Sequence, residues 1–333
     1  MKRDRAIYIQ AERRLWESVG IVPREHHLRL EHSGVVVRVQ EVGEGPPVLL
    51  IHGASNSGAS WAELVARLNG FRCLMLDRPG AGLSEPLPRP FESVEDLARF
   101  SDSLVVDVLD ALECASADLV ATSSGGYPTL RAAAAHPHRI GRVVIFGWTM
   151  GAANPAMPMM MRLGTLPRLA KLMTKMPINE RAVRSMFKRI GLRGALQSGR
   201  LSTELITCFT ALLRYTDTLS NEFEVTRWTM TWKGLNQDII LSDDLLSRIK
   251  SPVYLLWGED DPFGPPEVAR SFAERIPGAE LELLPGAGHA AWLDDPDYAA
   301  EFTKSRLEGR RASRSMPTEK RISEDPQHQD EHL

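Results

Sequence analysis

The sequence predicts an α/β fold: an eight-stranded, mostly parallel twisted sheet flanked by helices, with a helical insertion after the sixth strand. Three observations predict it. Short apolar runs alternate with helix-period segments over residues 27–148 and again over 248–308, the pattern of strands joined by crossover helices. One run, Ala117 to Ala121, leads straight into Thr122-Ser123-Ser124-Gly125-Gly126, so a strand stops at a serine and turns at once into a helix. From Thr149 to Ser247 the alternation lapses into methionine-rich, helix-period sequence, which reads as a single insertion.

The elements follow in order. An N-terminal helical extension occupies residues 1–26, with an amphipathic helix over Ala6 to Ser18. Strands are expected at His27–Glu31 and Val35–Gln40, split by Ser33-Gly34. Pro47–Ile51 is apolar throughout, as in a strand buried on both faces. A helix over Trp61–Leu68 returns to the strand Arg72–Leu76, and a long helix, Val94–Leu112, leads to the serine turn. After it come an alanine-rich helix, Leu130–Ala135, and the strand Arg142–Phe146. Beyond the insertion (149–247) the alternation resumes with Pro252–Trp257, a helix over Pro266–Ile276, the strand Glu280–Leu284 and a last helix, Pro296–Leu307. The tail, 309–333, is polar and too poor in large apolar side chains to offset ordering, so disorder is expected there.

Composition narrows the function classes. At 333 residues the chain can bury a sizeable core, and 43% hydrophobic with 25% charged residues is ordinary for a soluble globular protein. A formal net charge of −3 argues against nucleic-acid binding. Cys73, Cys114 and Cys208 are widely spaced and form no CxxC pair, so they read as reduced, buried thiols of a cytoplasmic protein. The charged start lacks the apolar region of a secretory signal, and no apolar stretch reaches the length of an integral membrane segment. No cluster of metal-ligating residues stands out, no cofactor is expected, and the expected partner is a small-molecule substrate. The oligomeric state is left open.

The serine turn carries the chemistry. So sharp a turn strains its central residue and requires small residues two positions away on either side; Ala121 and Gly125 flank Ser123 in this way. Ser124, between Thr122 and Gly126, offers a second frame, but Thr122 is β-branched and too bulky for the close approach. A serine hydroxyl needs a base to take its proton. His289 ends Gly286-Ala287-Gly288-His289 after the eighth strand, and Gly258-Glu259-Asp260-Asp261-Pro262 follows the seventh. Two further motifs lie earlier: His52-Gly53 after the third strand, and Asp77-Arg78-Pro79-Gly80-Ala81-Gly82-Leu83-Ser84 after the fourth.

With these motifs in this order, the chain from His27 to Leu307 resembles the α/β-hydrolase fold family. The resemblance implies a Ser123–His289–Asp261 triad, the acid being assigned by the family's Gly-x-x-Asp spacing. It also implies an oxyanion hole from the backbone N–H groups of Ser124 and Ala54, with His52 bracing the loop rather than reacting. The insertion would be a lid. Under it, Trp148, Met157, Met161, Trp228 and Trp232 are candidates for substrate contact, with core packing the competing reading for each. The basic run from Arg162 to Arg200, opposed only by Glu180, reads as a solvated face; the sharper alternative is attraction of an anionic substrate or membrane surface. The implied activity is ester hydrolysis through an acyl-enzyme. Carbon–carbon bond hydrolases of the meta-cleavage type share the triad, but usually carry a longer Gly-rich loop after His-Gly and an Asn before the serine, where this chain has Ala54-Ser55-Asn56-Ser57-Gly58 and Thr122. Thioesterases, lactonases, amidases and perhydrolases use the same triad, and a ligand-binding receptor on this scaffold is the non-enzymatic alternative. Haloalkane dehalogenases and epoxide hydrolases of this fold use an aspartate where Ser123 stands, so those activities are not expected.

Overall fold

In the computed structural model, which describes residues 4–154, 162–163, 165–173 and 178–309, the apolar runs become strands β1 (Arg24–Arg29), β2 (Val36–Val42), β3 (Pro47–Ile51), β4 (Arg72–Leu76), β5 (Ala117–Ser123) and β6 (Ile140–Thr149). The short β7 (Met230–Thr231) and β8 (Gly234–Leu235) follow, then β9 (Val253–Gly258) and β10 (Glu280–Leu284). Eight of them form one sheet in the order β1-β2-β4-β3-β5-β6-β9-β10. The edge pairs β1/β2 and β2/β4 are antiparallel and every other pair is parallel. Parallel strands need covered faces, and alternate side chains supply both. Leu49, Ile51, Leu119, Ala121 and Ile145 enter one apolar core, while Val48, Leu50, Val120, Val144 and Phe146 enter the other.

Helices α1 (Arg5–Ser18), α2 (Ala62–Val65), α3 (Val94–Ala111) and α4 (Gly126–Ala135) precede the insertion. The insertion contains α5 (Pro167–Met173), α6 (Glu180–Arg189), α7 (Arg193–Gln197), α8 (Thr203–Tyr215) and α9 (Thr218–Thr229), the β7–β8 hairpin and α10 (Asp243–Ser247). α11 (Pro266–Glu274), α12 (Ala291–Asp294) and α13 (Pro296–Leu307) complete the core. Asn179 and Ser202 cap α6 and α8 by accepting N–H groups of Ala182 and Leu205. Val183, Phe187, Leu205, Ile206 and Phe209 then bury one face of this pair, at about 2 kcal/mol of transfer free energy per large side chain. Basic side chains of the insertion face solvent: Arg168 on α5, Arg181, Lys188 and Arg189 on α6, and Arg193 on α7 are exposed. Lys175 of the basic run lies outside the described residues, as does the tail beyond residue 309. Among the described residues no helix is long and apolar enough to cross a membrane.

Several boundaries differ from expectation. β1 begins at Arg24 rather than His27, because its register is set by pairing with β2, Arg24 opposite Glu41. The helix expected over Trp61–Leu68 is a 3₁₀ turn, Gly58–Trp61, followed by the single turn of α2. α4 starts at Gly126, four residues before Leu130, since the helix opens directly out of the serine turn. The insertion is not purely helical. Its β7–β8 hairpin is too short to show any alternation in the sequence.

The N-terminal helix is fastened to the sheet by charge. Arg38 is fully buried; its Nη1 and Nη2 donate to Glu12 Oε2 and Oε1, both at 2.6 Å, and its Nε donates to Asp77 Oδ2 at 2.9 Å. Tyr8 donates to Glu12 Oε1 at 2.5 Å. Replacing Glu12 by Ala leaves a buried guanidinium short of a partner, and we expect it to lower the unfolding free energy by about 3 kcal/mol in urea titration. An unchanged unfolding midpoint would refute this role for Glu12.

Candidate active site

Ser123 sits at the end of β5 with φ of 53°, a left-handed conformation that costs a non-glycine residue about 1–2 kcal/mol. Three features hold it there. Gly125 N–H bonds to Thr122 O at 2.9 Å. Any Cβ at Gly125 would overlap the carbonyl oxygens of Ile51 and His52, and a Cβ at Gly53 would lie 2.8 Å from the Ser123 Cβ. The Ser123 carbonyl accepts Met150 N–H and Thr149 Oγ1, each at 3.0 Å. Ser123 and Ser124 both line a cavity, and the Ser124 hydroxyl is buried with no hydrogen-bond partner among the described residues.

The end of β6 links this turn to Asp261 and His289. Thr149 is the β6 partner of Ser123, and Trp148 N–H donates to Asp261 Oδ2 at 2.6 Å. Phe263 N–H donates to Asp261 Oδ1 at 2.9 Å. Asp261 Oδ2 also meets His289 Nδ1 at 2.9 Å. An ionised carboxylate only accepts, so Nδ1 carries the proton and Nε2 is left with its lone pair. The Phe263 ring lies 4.5 Å from the imidazole, and His289 N–H bonds to Ile190 O in the insertion at 2.8 Å. Asp260 and Glu259 are exposed at this loop.

The loop after β3 forms the opposite wall. His52 is fully buried, and burial holds its imidazole well below the ordinary histidine range. Its Nε2 accepts Arg78 N–H at 3.1 Å, so its Nδ1 carries the proton and donates to Gly53 O at 2.7 Å. A histidine with both ring nitrogens so engaged is a brace. Arg78 Nη2 donates to Gly53 O at 3.0 Å and to Glu222 Oε2 at 3.2 Å. That same Glu222 oxygen accepts Ser55 N–H at 3.3 Å. A carboxylate on insertion helix α9 thus ties down the loop that carries Ala54. Sequence reasoning missed both residues. Arg78 sits inside a motif valued for its glycines, and nothing in the sequence distinguishes Glu222 from any solvated acid of a helix.

At Ser123 lies a cavity of about 90 Å³, lined by Ala54, Ser123, Ser124 and Trp148 of the core and by Val225, Thr229, Met230 and Leu235 of the insertion; Asp261 and His289 are not part of this lining. Apolar side chains of α3, Leu97, Phe100 and Leu104, close its far side. The charged side chains at its wall, Arg78 and Glu222, are paired with each other. Of the residues expected to contact substrate, Trp148 lines the cavity. Trp228 does not; it packs against the core, with the Arg227 guanidinium 5.5 Å from its ring centroid. Trp232 is 53% exposed on the β7–β8 turn and is not part of the lining. Trp228 lies in the last turn of α9 and Trp232 between β7 and β8. Met157 and Met161 lie outside the described residues, and Met150 and Met230 are the methionines found in the lining.

Comparison with known proteins agrees with this architecture. The family model of the alpha/beta hydrolase family matches residues 48–302. A 2-hydroxy-6-oxononadienedioate/2-hydroxy-6-oxononatrienedioate hydrolase from Burkholderia vietnamiensis is 25% identical over 295 residues, covering 85% of this chain and 94% of that protein. The protein of the same name from Escherichia coli K12 is 26% identical over 288 residues, covering 81% and 91%. Among solved structures, carboxylesterase CesB from Bacillus subtilis superposes with a TM-score of 0.70 at 22% identity, covering 92% of this chain and 98% of that one. The 2-hydroxy-6-oxo-6-phenylhexa-2,4-dienoate hydrolase from Rhodococcus sp. strain RHA1 gives 0.69 at 18% identity, covering 86% and 100%.

One titrating group lies next to His289 in the chain's packing, through the residue before it. Asp294 Oδ2 accepts the N–H of Gly288, the residue before His289, at 2.7 Å. Burial pushes this carboxyl up to about 7. A folded-state value above the ordinary carboxylate range means that ionisation opposes folding: the cost is absent below about pH 4 and fully present above about pH 7. Asp294→Asn keeps an acceptor for Gly288 without the charge. We expect it to stabilise the protein by about 1–2 kcal/mol at pH 8 and not at all at pH 4. Thermal unfolding at the two pH values checks this; equal effects at both would contradict it.

Proposed function

Because the chain belongs to the alpha/beta hydrolase family, we propose that it is a serine hydrolase that cleaves carboxylic esters through an acyl-enzyme on Ser123. The observation that carries the reading is the Asp261–His289 pair at 2.9 Å, together with a serine in the elbow conformation at the end of β5 that lines a largely apolar cavity. In this reading the Ser123 hydroxyl attacks the ester carbonyl while His289 Nε2 takes its proton. Asp261, fixed by two backbone N–H groups, stabilises the imidazolium. The N–H groups of Ser124 and Ala54 receive the oxyanion, each worth roughly 3 kcal/mol in comparable sites. The alcohol leaves with the proton from His289, and water, activated by the same base, releases the acid. The insertion serves as the lid, since α9 and the hairpin supply part of the cavity wall. Three buried, free cysteines support a reducing, cytoplasmic setting.

The sequence leads one to expect a pocket for an uncharged, moderately large apolar acyl or alcohol group; the cavity favours an uncharged but small one, which we assign to the acyl side. Its lining is largely apolar, its two charges neutralise each other, and its volume of about 90 Å³ is below the ~150 Å³ that holds a benzene. A second reading, carbon–carbon bond hydrolysis of ring-cleavage products, is favoured by the names of the curated relatives at 25–26% identity. Its anionic substrates would need an unpaired cation at the wall, where Arg78 already has Glu222.

Two measurements test the proposal. Ser123→Ala should abolish turnover of a p-nitrophenyl ester and labelling by an organophosphonate, while Ser124→Ala retains most activity; the reverse pattern would put the nucleophile in the other frame. Asp261→Asn should lower kcat by about ten-thousand-fold through the wrong imidazole tautomer, with Asp260→Asn near wild type. Turnover of a vinylogous diketone in preference to every ester in a panel would instead establish the second reading.

A further inference from the structure

The cavity beside Ser123 does not end in solid core. On the far side of Leu87, Phe91 and Phe100 lies a second cavity of about 300 Å³, and these three side chains line both. These shared side chains form the partition. It is built from two elements: Leu87 and Phe91 come from the segment before α3, and Phe100 comes from α3 itself, which Ser93 caps by accepting Asp96 N–H at 3.1 Å. The rings of Phe91 and Phe100 meet at 5.4 Å between centroids with a tilt of 56°. All three side chains are only half-buried, as expected for apolar groups with space on both sides. The outer cavity is polar around its rim, with His32, Arg89, Arg99 and Ser103, and Arg89 and Arg99 are exposed, so it opens to solvent.

We infer that the Leu87–Phe91–Phe100 partition sets the upper length of the acyl chain, and that the outer cavity is a second acyl subsite that longer chains reach when the partition is thinned. The inference rests on the reading of Ser123 as the acylated nucleophile. Its physical basis is volume and polarity. The inner cavity, about 90 Å³, accepts only a few carbons before the chain meets the two rings. A chain that passes them gains apolar contact from the partition's outer face and brings its end to a wet, polar rim. One carbon more or less in an apolar pocket changes kcat/KM by roughly tenfold or more, so a wall at a fixed depth gives a sharp cutoff.

The test is the p-nitrophenyl ester series from acetate to decanoate, with the alcohol held constant. In the wild type, kcat/KM should peak at a short chain and be at least roughly tenfold lower for decanoate than for butyrate. Phe100→Ala joins the two cavities and should raise the decanoate-to-butyrate ratio by roughly tenfold or more. Phe91→Ala, on the other element, should act in the same direction, and it stands in if the helix substitution fails to fold by circular dichroism. A wild-type profile that does not fall with chain length overturns the inference without any substitution, as does an unchanged ratio in a folded Phe91 or Phe100 variant. Undiminished turnover by Ser123→Ala is a different failure: it removes the nucleophile reading and leaves the partition's role in binding to be read from the same ratios.

Discussion

The carboxylate of Asp261 is the point on which the site's geometry converges. Both its oxygens accept main-chain N–H groups, from Trp148 and Phe263, and one oxygen also holds His289. The Trp148 donor is available only because β6 bends at Gly147, where φ is 64°. A Cβ there would overlap the His289 carbonyl and lie 2.9 Å from Asp261 Oδ2. The same bend shifts the β5–β6 register between Thr122 and Ser123, so Ser123 pairs with Thr149. One glycine thus aligns the ends of three strands. Asp261, His289 and the serine turn are each held by backbone hydrogen bonds, which is how so small a set of residues can be so well fixed.

Charge is handled economically below and beside the site. Asp77 accepts N–H groups of Gly58 and Leu83 at 2.7 and 2.9 Å and pairs with Arg38, shaping the two loops that flank the cavity. Burial pushes the Asp77 carboxyl upward against the pull of Arg38, so Arg38 and the two donors are what offset its desolvation. Next to it, Arg78 and Glu222 perform the same mutual neutralisation at the cavity wall. The result is a site with charged groups close by and an apolar interior.

Much of this is legible in the sequence, and the reasons differ by element. β3, β4 and β10 fall at their expected residues because continuous apolar runs bounded by turn residues leave little freedom. The pairing of Asp261 with His289 is anticipated by the family resemblance, whose Gly-x-x-Asp spacing singles out Asp261 from its acidic neighbours. The departures share a cause: they depend on tertiary partners. β1 takes its start from β2, not from its own polar sequence, Arg24 to Arg29. The β7–β8 hairpin is two residues per strand, below any periodicity. Trp228 and Trp232 are site candidates by size, yet size says nothing about which side of a hairpin faces a cavity. Leu97, Phe100 and Leu104 have the spacing of ordinary core positions in an amphipathic helix, and nothing in that spacing marks them as a cavity wall.

The buried arginine also bears on where the chain can be cut. The family match spans residues 48–302, which invites a fragment trimmed to those limits for expression or engineering. Such a fragment would lack β1 and β2, and with them Arg38 and its partner Glu12 from α1. Asp77 would remain, on β4's exit loop, with its cation removed and one edge of the sheet uncovered. A fragment that keeps these buried charges paired must therefore begin before Glu12.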